Sequence, residues 1–266
     1  MTAPFPFSGA ETDGTWRFID TGELSGPFNM AVDEALLARF DPDRSRPLFR
    51  LYGWSPPAIS LGRFQNPVEV LNLAKCAAAG VPVVRRITGG GVIYHAEELT
   101  YALVCTPRQL PAAATVKESF RALTRFLCRF YELLGLDARH AVDCSPKGTG
   151  FGERTPFCFA GTETYDILVR GRKIGGNAQR RQKQVIFQHG SIPLVNHAPF
   201  GASFMKDPPR GMEQKTGALA DFGIVRPRNE LARLLAAAFA ESVTARLEES
   251  ALTGEEEAQA ALLAVE

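Results

Sequence analysis

The sequence predicts one mixed α/β domain of the α+β type, and three observations predict it. Apolar residues recur at helical spacing in several separate stretches. Between those stretches lie short β-branched or apolar runs bounded by Gly and Pro. In chain order the elements read α, β, β, α, β, β, α, then a β-hairpin and a helical C-terminus, with no internal repeat and no long low-complexity linker. Residues 1–15 read as a loose leader. Residues 16–266 read as a single domain whose last part, from about 228, is helical.

The first helix is NMAVDEALLARF, with Asn29 as its cap and Val32, Leu36, Leu37 and Phe40 as its apolar face. Asp33 and Glu34 then fall early in the helix, where acidic side chains suit the dipole. Leu48–Tyr52 and Ala58–Leu61 read as strands. Asn66, Pro67 and Glu69 start a second helix, which Gly80 ends. Val81–Ile87 is an apolar strand interrupted by Arg85 and Arg86, and it runs into Thr88-Gly89-Gly90-Gly91. Leu99–Val104 is the next strand. Thr115 and Glu118 form a capping box for a long helix with Phe120, Leu123, Leu127, Phe130 and Leu134 on one face and Gly135 at its end. Residues 141–156, rich in Gly, Pro and charge, read as a mobile loop or lid. Tyr165–Val169 and Gly171–Ile174 read as a hairpin. Residues 196–228 look largely irregular.

Composition narrows the function. The chain has 266 residues, 45% hydrophobic and 22% charged, enough to bury a core without staples. Its net charge of +1 gives no global field for nucleic acid. No apolar run reaches the roughly 18 residues of a membrane span. MTAPFPFSGAETDG has no basic n-region, so no secretory signal is read. The five cysteines, Cys76, Cys105, Cys128, Cys144 and Cys158, include no C-x-x-C pair, so no metal site is expected. Their odd number fits reduced thiols in the cytoplasm.

Two elements carry chemistry. Three consecutive glycines after a strand let the backbone approach a ligand, and their N–H groups can cradle an oxygen. The loop is not a phosphate-binding G-x-x-x-x-G-K-[ST] motif, because no lysine follows it. Arg85 and Arg86 alternate faces, so one of them can point into a shared pocket. The second element is Cys158–Ser191. One supersecondary unit can bring Cys158 to Lys173, whose ammonium favours a thiolate. In an apolar pocket the lysine can also lose its proton and act as a base. From spacing alone, a buried Cys158 and a solvent-facing Lys173 are the ordinary reading. His95 and His189 read as structural hydrogen-bond partners. Arg170, Arg172, Lys173, Arg180, Arg181 and Lys183, with no acid between them, form a local basic stretch suited to an acidic partner or a phosphate-bearing carrier arm.

In NMAVDEALL (Asn29–Leu37), WSPPAISLGRFQ (Trp54–Gln65), RRITGGGVIYH (Arg85–His95), GRKIGGNAQ (Gly171–Gln179) and QHGSI (Gln188–Ile192) the chain resembles the biotin/lipoate ligase superfamily, on its lipoate side. The resemblance implies a largely antiparallel mixed sheet flanked by helices, related to class II aminoacyl-tRNA synthetase cores. It implies that the TGGG loop and the Lys173 segment enclose an octanoyl or lipoyl chain. Arg85, Arg86, Gly89, Gly90, Gly91, His95, Gly175, Gly176, Gln179 and His189 are then substrate-binding.

Two activities share these motifs. Lipoate–protein ligases use ATP and Mg, lack a cysteine nucleophile and usually carry a C-terminal accessory domain. LipM-type octanoyltransferases need no cofactor. They take octanoyl from acyl carrier protein as a cysteine thioester and pass it to a lysine of a lipoyl-domain protein such as the glycine cleavage H protein. CFAGTETYDILVRGRKIGG (Cys158–Gly176) follows the transferase signature C-F-x-x-x-x-x-Y-[DE]-[IL]-x-V-x-G-R-K-I-x-G, with Cys158 as nucleophile and Lys173 on the acyl carbonyl. Little chain follows Leu194 for an accessory domain, which points the same way. Gly176-Asn177 departs from the commoner Gly-Ser. A lipoyl-domain amidotransferase and a non-catalytic acyl or cofactor binder are the other readings of this resemblance.

Overall fold

The computed structural model describes residues 14–110, 115–144, 156–158, 161 and 163–265. The chain opens with strand β1 (Thr15–Leu24) and helix α1 (Gly26–Arg39). Next come β2 (Leu48–Trp54), β3 (Ala58–Leu61), the short helices α2 (Pro67–Val70) and α3 (Leu73–Ala78), and β4 (Val83–Arg85). β5 (Ile93–His95) and β6 (Glu98–Cys105) lead to the long helix α4 (Val116–Leu133). β7 (Ala138–His140), α5 (Ala141–Cys144), β8 (Ile167–Val169), β9 (Arg172–Lys173), β10 (Gly176–Gln182) and β11 (Val185–Pro193) follow. The C-terminal part holds α6 (Ala198–Ala202), α7 (Met212–Lys215), α8 (Arg228–Val243), β12 (Arg246–Glu249) and α9 (Gly254–Leu263).

The main sheet has six strands in the order β10-β11-β6-β2-β1-β12. β10, β11, β6 and β2 pair antiparallel, while β1 pairs parallel with β2 and β12. Two small sheets, β4-β3-β5 and β7-β8-β9, flank it. The result is the mixed, largely antiparallel sheet that the resemblance implied.

Strand alternation decides what each face buries. Phe49, Leu51, Leu99, Tyr101 and Leu103 face α4 and α8, where Leu123, Phe126, Leu127, Phe130, Leu235 and Phe239 complete one core. Leu48, Tyr52, Ala102, Val104 and Phe187 face α1 and α9 on the other side. A third cluster under β3 and β5 includes Ile59, Leu61, Val92, Ile93 and Phe157. It fixes the small sheet against the edge of the large one, and the cavity opens at that junction.

Local signals hold at several ends. Thr115 Oγ1 accepts from Glu118 N at 3.1 Å and Glu118 Oε2 accepts from Thr115 N at 2.8 Å, so the capping box is real. The hairpin tip is Arg170-Gly171, both left-handed, as a two-residue turn of the favoured hand requires. Other expectations need correction. Helix α1 starts at Gly26 with Pro27 in its first turn, so Asn29 is no cap. Asn29 is instead buried, donating to Leu24 O at 3.1 Å and Gly53 O at 2.8 Å. Asp33 therefore lies mid-helix, where the dipole does not explain it. The second helix divides at Leu71, because Asn72 caps a new one through Lys75 N at 3.0 Å.

The C-terminus is not wholly helical: the charged segment Arg246–Glu249 is an edge strand. The leader expectation falls mainly on residues 1–13, outside the described residues, and β1 already begins at Thr15. The lid expectation at 141–156 also lies mostly outside them; residues 141–144 form α5. No helix among the described residues is long and apolar enough to cross a membrane.

Candidate active site

A cavity of about 660 Å³ lies between the main sheet and the β4-β3-β5 sheet. Cys158, Arg86, Gly89–Gly91, His95, Gly176 and His189 line it, with Met30, Tyr52, Trp54 and Ile93 as apolar wall. The glycine loop seats the cysteine. Val92 N donates to Pro156 O at 2.8 Å and Cys158 N donates to Val92 O at 3.0 Å. A Cβ on Gly91 would stand 2.5 Å from Cys158 N and 2.8 Å from the Phe157 carbonyl carbon, so only glycine permits this approach. From the opposite wall, a Cβ on Gly62 would fall 1.9 Å from Gly90 O.

Arg86 sets the shape of the loop. Its buried guanidinium donates to Gly89 O at 2.9 Å, Gly91 O at 2.7 Å and Ser60 O at 3.1 Å. With their carbonyls turned to Arg86, the loop's N–H groups take no recorded acceptor among the described residues. Arg85 points the other way, as alternation predicts. Its guanidinium donates to the carbonyls of Gly62, Arg63 and Gln65, bracing that turn from outside the cavity.

Lys173 is fully buried beside the cysteine. Nζ donates to Cys158 O at 2.8 Å and Gly161 O at 3.1 Å, and it pairs with Asp166 Oδ2 at 2.7 Å. Burial alone would push the ammonium's pKa down, but Cys158 and the Asp166 carboxylate outweigh it and hold the pKa above its ordinary value. That direction favours the charged form of Lys173, fixed beside the Cys158 carbonyl. Burial in turn pushes the Asp166 carboxyl up. The Cys158 thiol lies 3.3 Å from the point where a Gly176 side chain would begin, and Lys173 Cε lies 4.0 Å from the same point. Gly176 keeps that space open for a reacting group.

The remaining candidates divide. His95 and His189 are on the cavity wall, each held at both ring nitrogens: His95 by Ser60 and Glu98, His189 by Thr88 at 2.7 Å and Asp33 at 3.4 Å. Burial depresses the His189 pKa. Gly175, at φ +118°, forms the tight turn into β10, where a Cβ would meet Ser191 O at 2.3 Å. Gln179 points to the α4 side, with Nε2 donating to Gln188 Oε1 at 3.0 Å. The basic stretch does not form one surface. Lys173 is buried, Arg172 pairs with Asp221 at 2.9 Å and Arg181 donates to Ser119 Oγ, while Arg170 and Lys183 stay exposed.

Sequence reasoning missed Asp166, Glu98, Ser60 and the buried pair Asp33–Arg50. Arg50 donates to Asp33 Oδ1 at 2.6 Å and to Asn29 Oδ1 at 2.7 Å, and Tyr52 donates to Asp33 Oδ2 at 2.9 Å. The available signal was an arginine inside the otherwise apolar strand LFRLY, which demands a counter-ion. Of the other cysteines, Cys76 and Cys105 are buried and Cys144 is exposed. Burial raises the Cys128 thiol to about 11, far from thiolate at neutral pH. Among the described residues no cluster of three His, Cys, Asp or Glu could hold a metal ion.

The octanoyltransferase LipM of Bacillus subtilis (strain 168) is 41% identical over 182 residues, covering 68% of this chain but only 66% of that protein, just under two thirds of its length. The octanoyltransferase LipM of Kyrpidia tusciae is 35% identical over 252 residues, 91% of this chain and 92% of that protein. Among solved structures, lipoate-protein ligase A bound with ATP shares the fold, with a TM-score of 0.77 over 95% of this chain and 94% of that one at 22% identity. The bi-partite lipoate protein ligase of Thermoplasma acidophilum does so too, with a TM-score of 0.77, 22% identity and coverage of 94% and 92%. Residues 25–240 match the lipoyl protein ligase A/B catalytic domain, and a match of that extent makes this chain a member of the lipoyl protein ligase A/B catalytic domain family.

Proposed function

We propose that this chain is an octanoyltransferase of lipoate biosynthesis. It moves octanoyl from acyl carrier protein to a lysine of a lipoyl-domain protein, such as the glycine cleavage H protein, through a thioester on Cys158. The observation that carries this reading is Cys158 on the cavity wall with the buried Lys173–Asp166 pair beside it, Lys173 Nζ donating to Cys158 O at 2.8 Å. The relatives named octanoyltransferase, at 35–41% identity, support the same chemistry.

Cys158 sulfur attacks the octanoyl carbonyl of the donor thioester. The bond from carbonyl carbon to Cys158 sulfur forms, the bond to the carrier's sulfur breaks, and the Cys158 proton leaves with the carrier thiol. The Lys173 ammonium stabilises both the thiolate and the developing oxyanion, and the free N–H groups of the glycine loop stand ready for the same oxygen. Met30, Tyr52, Trp54 and Ile93 offer the acyl chain an apolar wall, where each buried CH₂ contributes about 0.8 kcal/mol. The acceptor lysine then attacks the acyl-Cys158 thioester. No step calls for ATP, Mg or another cofactor.

The test is octanoyl transfer from octanoyl-acyl carrier protein to H protein in ATP-free buffer, read by mass on the acceptor. Transfer without ATP, abolished in Cys158→Ala, is expected. Transfer that requires ATP, or that survives in Cys158→Ala, identifies the lipoate ligase instead.

A further inference from the structure

The cavity opens to solvent beside the turn between β3 and α2, where the wall residues Phe64 and Gly90 are exposed. That turn is braced. Gln65 N donates to Gly62 O at 3.0 Å, Gly62 N donates to Gln65 Oε1 at 3.0 Å, and Gln65 Nε2 donates to Pro156 O at 2.8 Å. Arg85 takes up the carbonyls of Gly62, Arg63 and Gln65. The two side chains at the tip are left to solvent. Phe64 is 87% exposed, and the Arg63 guanidinium lies 5.7 Å from its ring. Among the described residues no carboxylate or carbonyl holds the Arg63 side chain.

A second arginine reaches the same lip from β10. Strand alternation sends Gln179 and Arg181 toward α4, so Arg180 shares the cavity face with Gly176 and Ala178. Arg180 Nη1 donates to Ile87 O at 3.4 Å, and Arg63 N donates to Thr88 O at 2.8 Å. Both arginines are thus tied to the two residues that enter the glycine loop. Their charges are close enough to oppose each other: burial, and then the Arg63 cation, lower the Arg180 pKa from its ordinary value. Glu34 of α1 acts the other way, but among the described residues it forms no ion pair with Arg180.

The neighbouring cations are engaged elsewhere. Arg85 and Arg86 donate to carbonyls, and Arg181 donates to Ser119 and Gln179. Arg63 and Arg180 come from distant segments and stand close together with no carboxylate paired to either among the described residues. Like charges brought together cost free energy, and an anion with two free oxygens relieves that cost. Each guanidinium presents a fork of donors that matches phosphate oxygens. The acidic surface of a protein would suit a broad basic face, and the surrounding basic side chains do not form one.

The transfer scheme brings octanoyl in as a thioester at the end of the carrier's arm, and a phosphodiester joins that arm to the carrier. An arm that delivers its thioester to Cys158 crosses the lip. On the transferase reading above, we propose that Arg63 and Arg180 clamp the phosphate of the donor's arm at the mouth of the cavity.

The experiment compares two small donors that differ only in the phosphate, octanoyl-pantetheine and octanoyl-phosphopantetheine, in ATP-free buffer. Acyl loading of Cys158 at subsaturating donor, followed by intact mass, gives a second-order rate constant for each. The wild type is expected to prefer the phosphorylated donor about 10-fold, and less so as salt is added. In the double variant Arg63→Gln with Arg180→Gln, checked for a cooperative thermal melt, the preference should disappear. Arg63→Gln alone removes a side chain that holds nothing else in place, and it should cut the preference about 3-fold. No preference in the wild type, or one that persists in the double variant, overturns the clamp and leaves the transferase reading standing. A loss seen only with octanoyl-acyl carrier protein also overturns it, assigning the arginines to the carrier's acidic surface. So does ATP that binds the wild type and not the double variant in calorimetry, which makes a nucleotide the source of the phosphate. If the wild type loads from no donor, octanoyl-acyl carrier protein included, the transferase reading fails and the clamp falls with it.

Discussion

Lys173 shows how one buried charge organises a site. Burial there disfavours the ammonium, and Cys158 together with Asp166, at 2.7 Å, holds its pKa above the ordinary value. The sequence offered both residues, Asp166 and Lys173, but a carboxylate seven positions before a lysine has no fixed geometry until the hairpin tip at Arg170-Gly171 folds them together. Lys173→Met leaves Asp166 buried without its partner. It is expected to abolish acyl loading and to cost about 3–5 kcal/mol in urea unfolding; a loss under about 1 kcal/mol would contradict the buried pair.

His189 gives a pH signature. Its folded pKa is depressed from 6.5 by burial, so the unfolded chain binds the extra proton more readily. Stability is then fully present above pH 6.5 and falls as pH drops below it. His140, depressed for the same reason, adds to the slope. Thermal melts between pH 8 and pH 5 should show the fall, and His189→Gln should flatten part of it. An unchanged slope in that variant would remove His189 from the account.

The glycine loop illustrates what a segment can reveal before it folds. TGGG announces close approach, but not that the approach is to the backbone of Cys158, because Cys158 comes from a distant segment. Gly91→Ala puts a Cβ 2.5 Å from Cys158 N and is expected to slow acylation of Cys158 by on the order of 100-fold while the protein stays folded. Stopped-flow loading with octanoyl-acyl carrier protein measures it; an unchanged rate would mean that the seat is not needed.

Helix ends were legible where a side chain satisfies the backbone locally. Thr115→Ala removes a formed cap on α4 and is expected to cost about 1 kcal/mol in the same urea assay; no loss would show that the box contributes nothing. Where tertiary structure decides, the sequence was silent. Strand β12 is RLEE, with no apolar alternation, and it exists because β1 offers an open parallel edge: Arg246 N donates to Gly14 O at 3.0 Å and Ser250 N to Phe18 O at 2.8 Å. The start of α1 was misplaced because Asn29, a good cap by type, is recruited to hold Gly53 O and Arg50.

The arrangement of layers explains why the site lies where it does. Helices α4 and α8 cover one face of the main sheet and α1 and α9 cover part of the other. The uncovered part of that second face, where β6, β10 and β11 carry small and polar residues, meets the β4-β3-β5 sheet across the cavity. The motifs name most of its walls. The contacts that set Ser60 beside His95 between β3 and β5, and Cys158 beside Gly176 across the cavity, come from segments far apart in the chain and could not be read from spacing. The account stands or falls on Cys158. Intact mass after mixing the protein with octanoyl-acyl carrier protein, with neither ATP nor acceptor present, should show one added octanoyl group that disappears in Cys158→Ser. An unmodified wild-type mass, or an adduct that persists in Cys158→Ser, would contradict it.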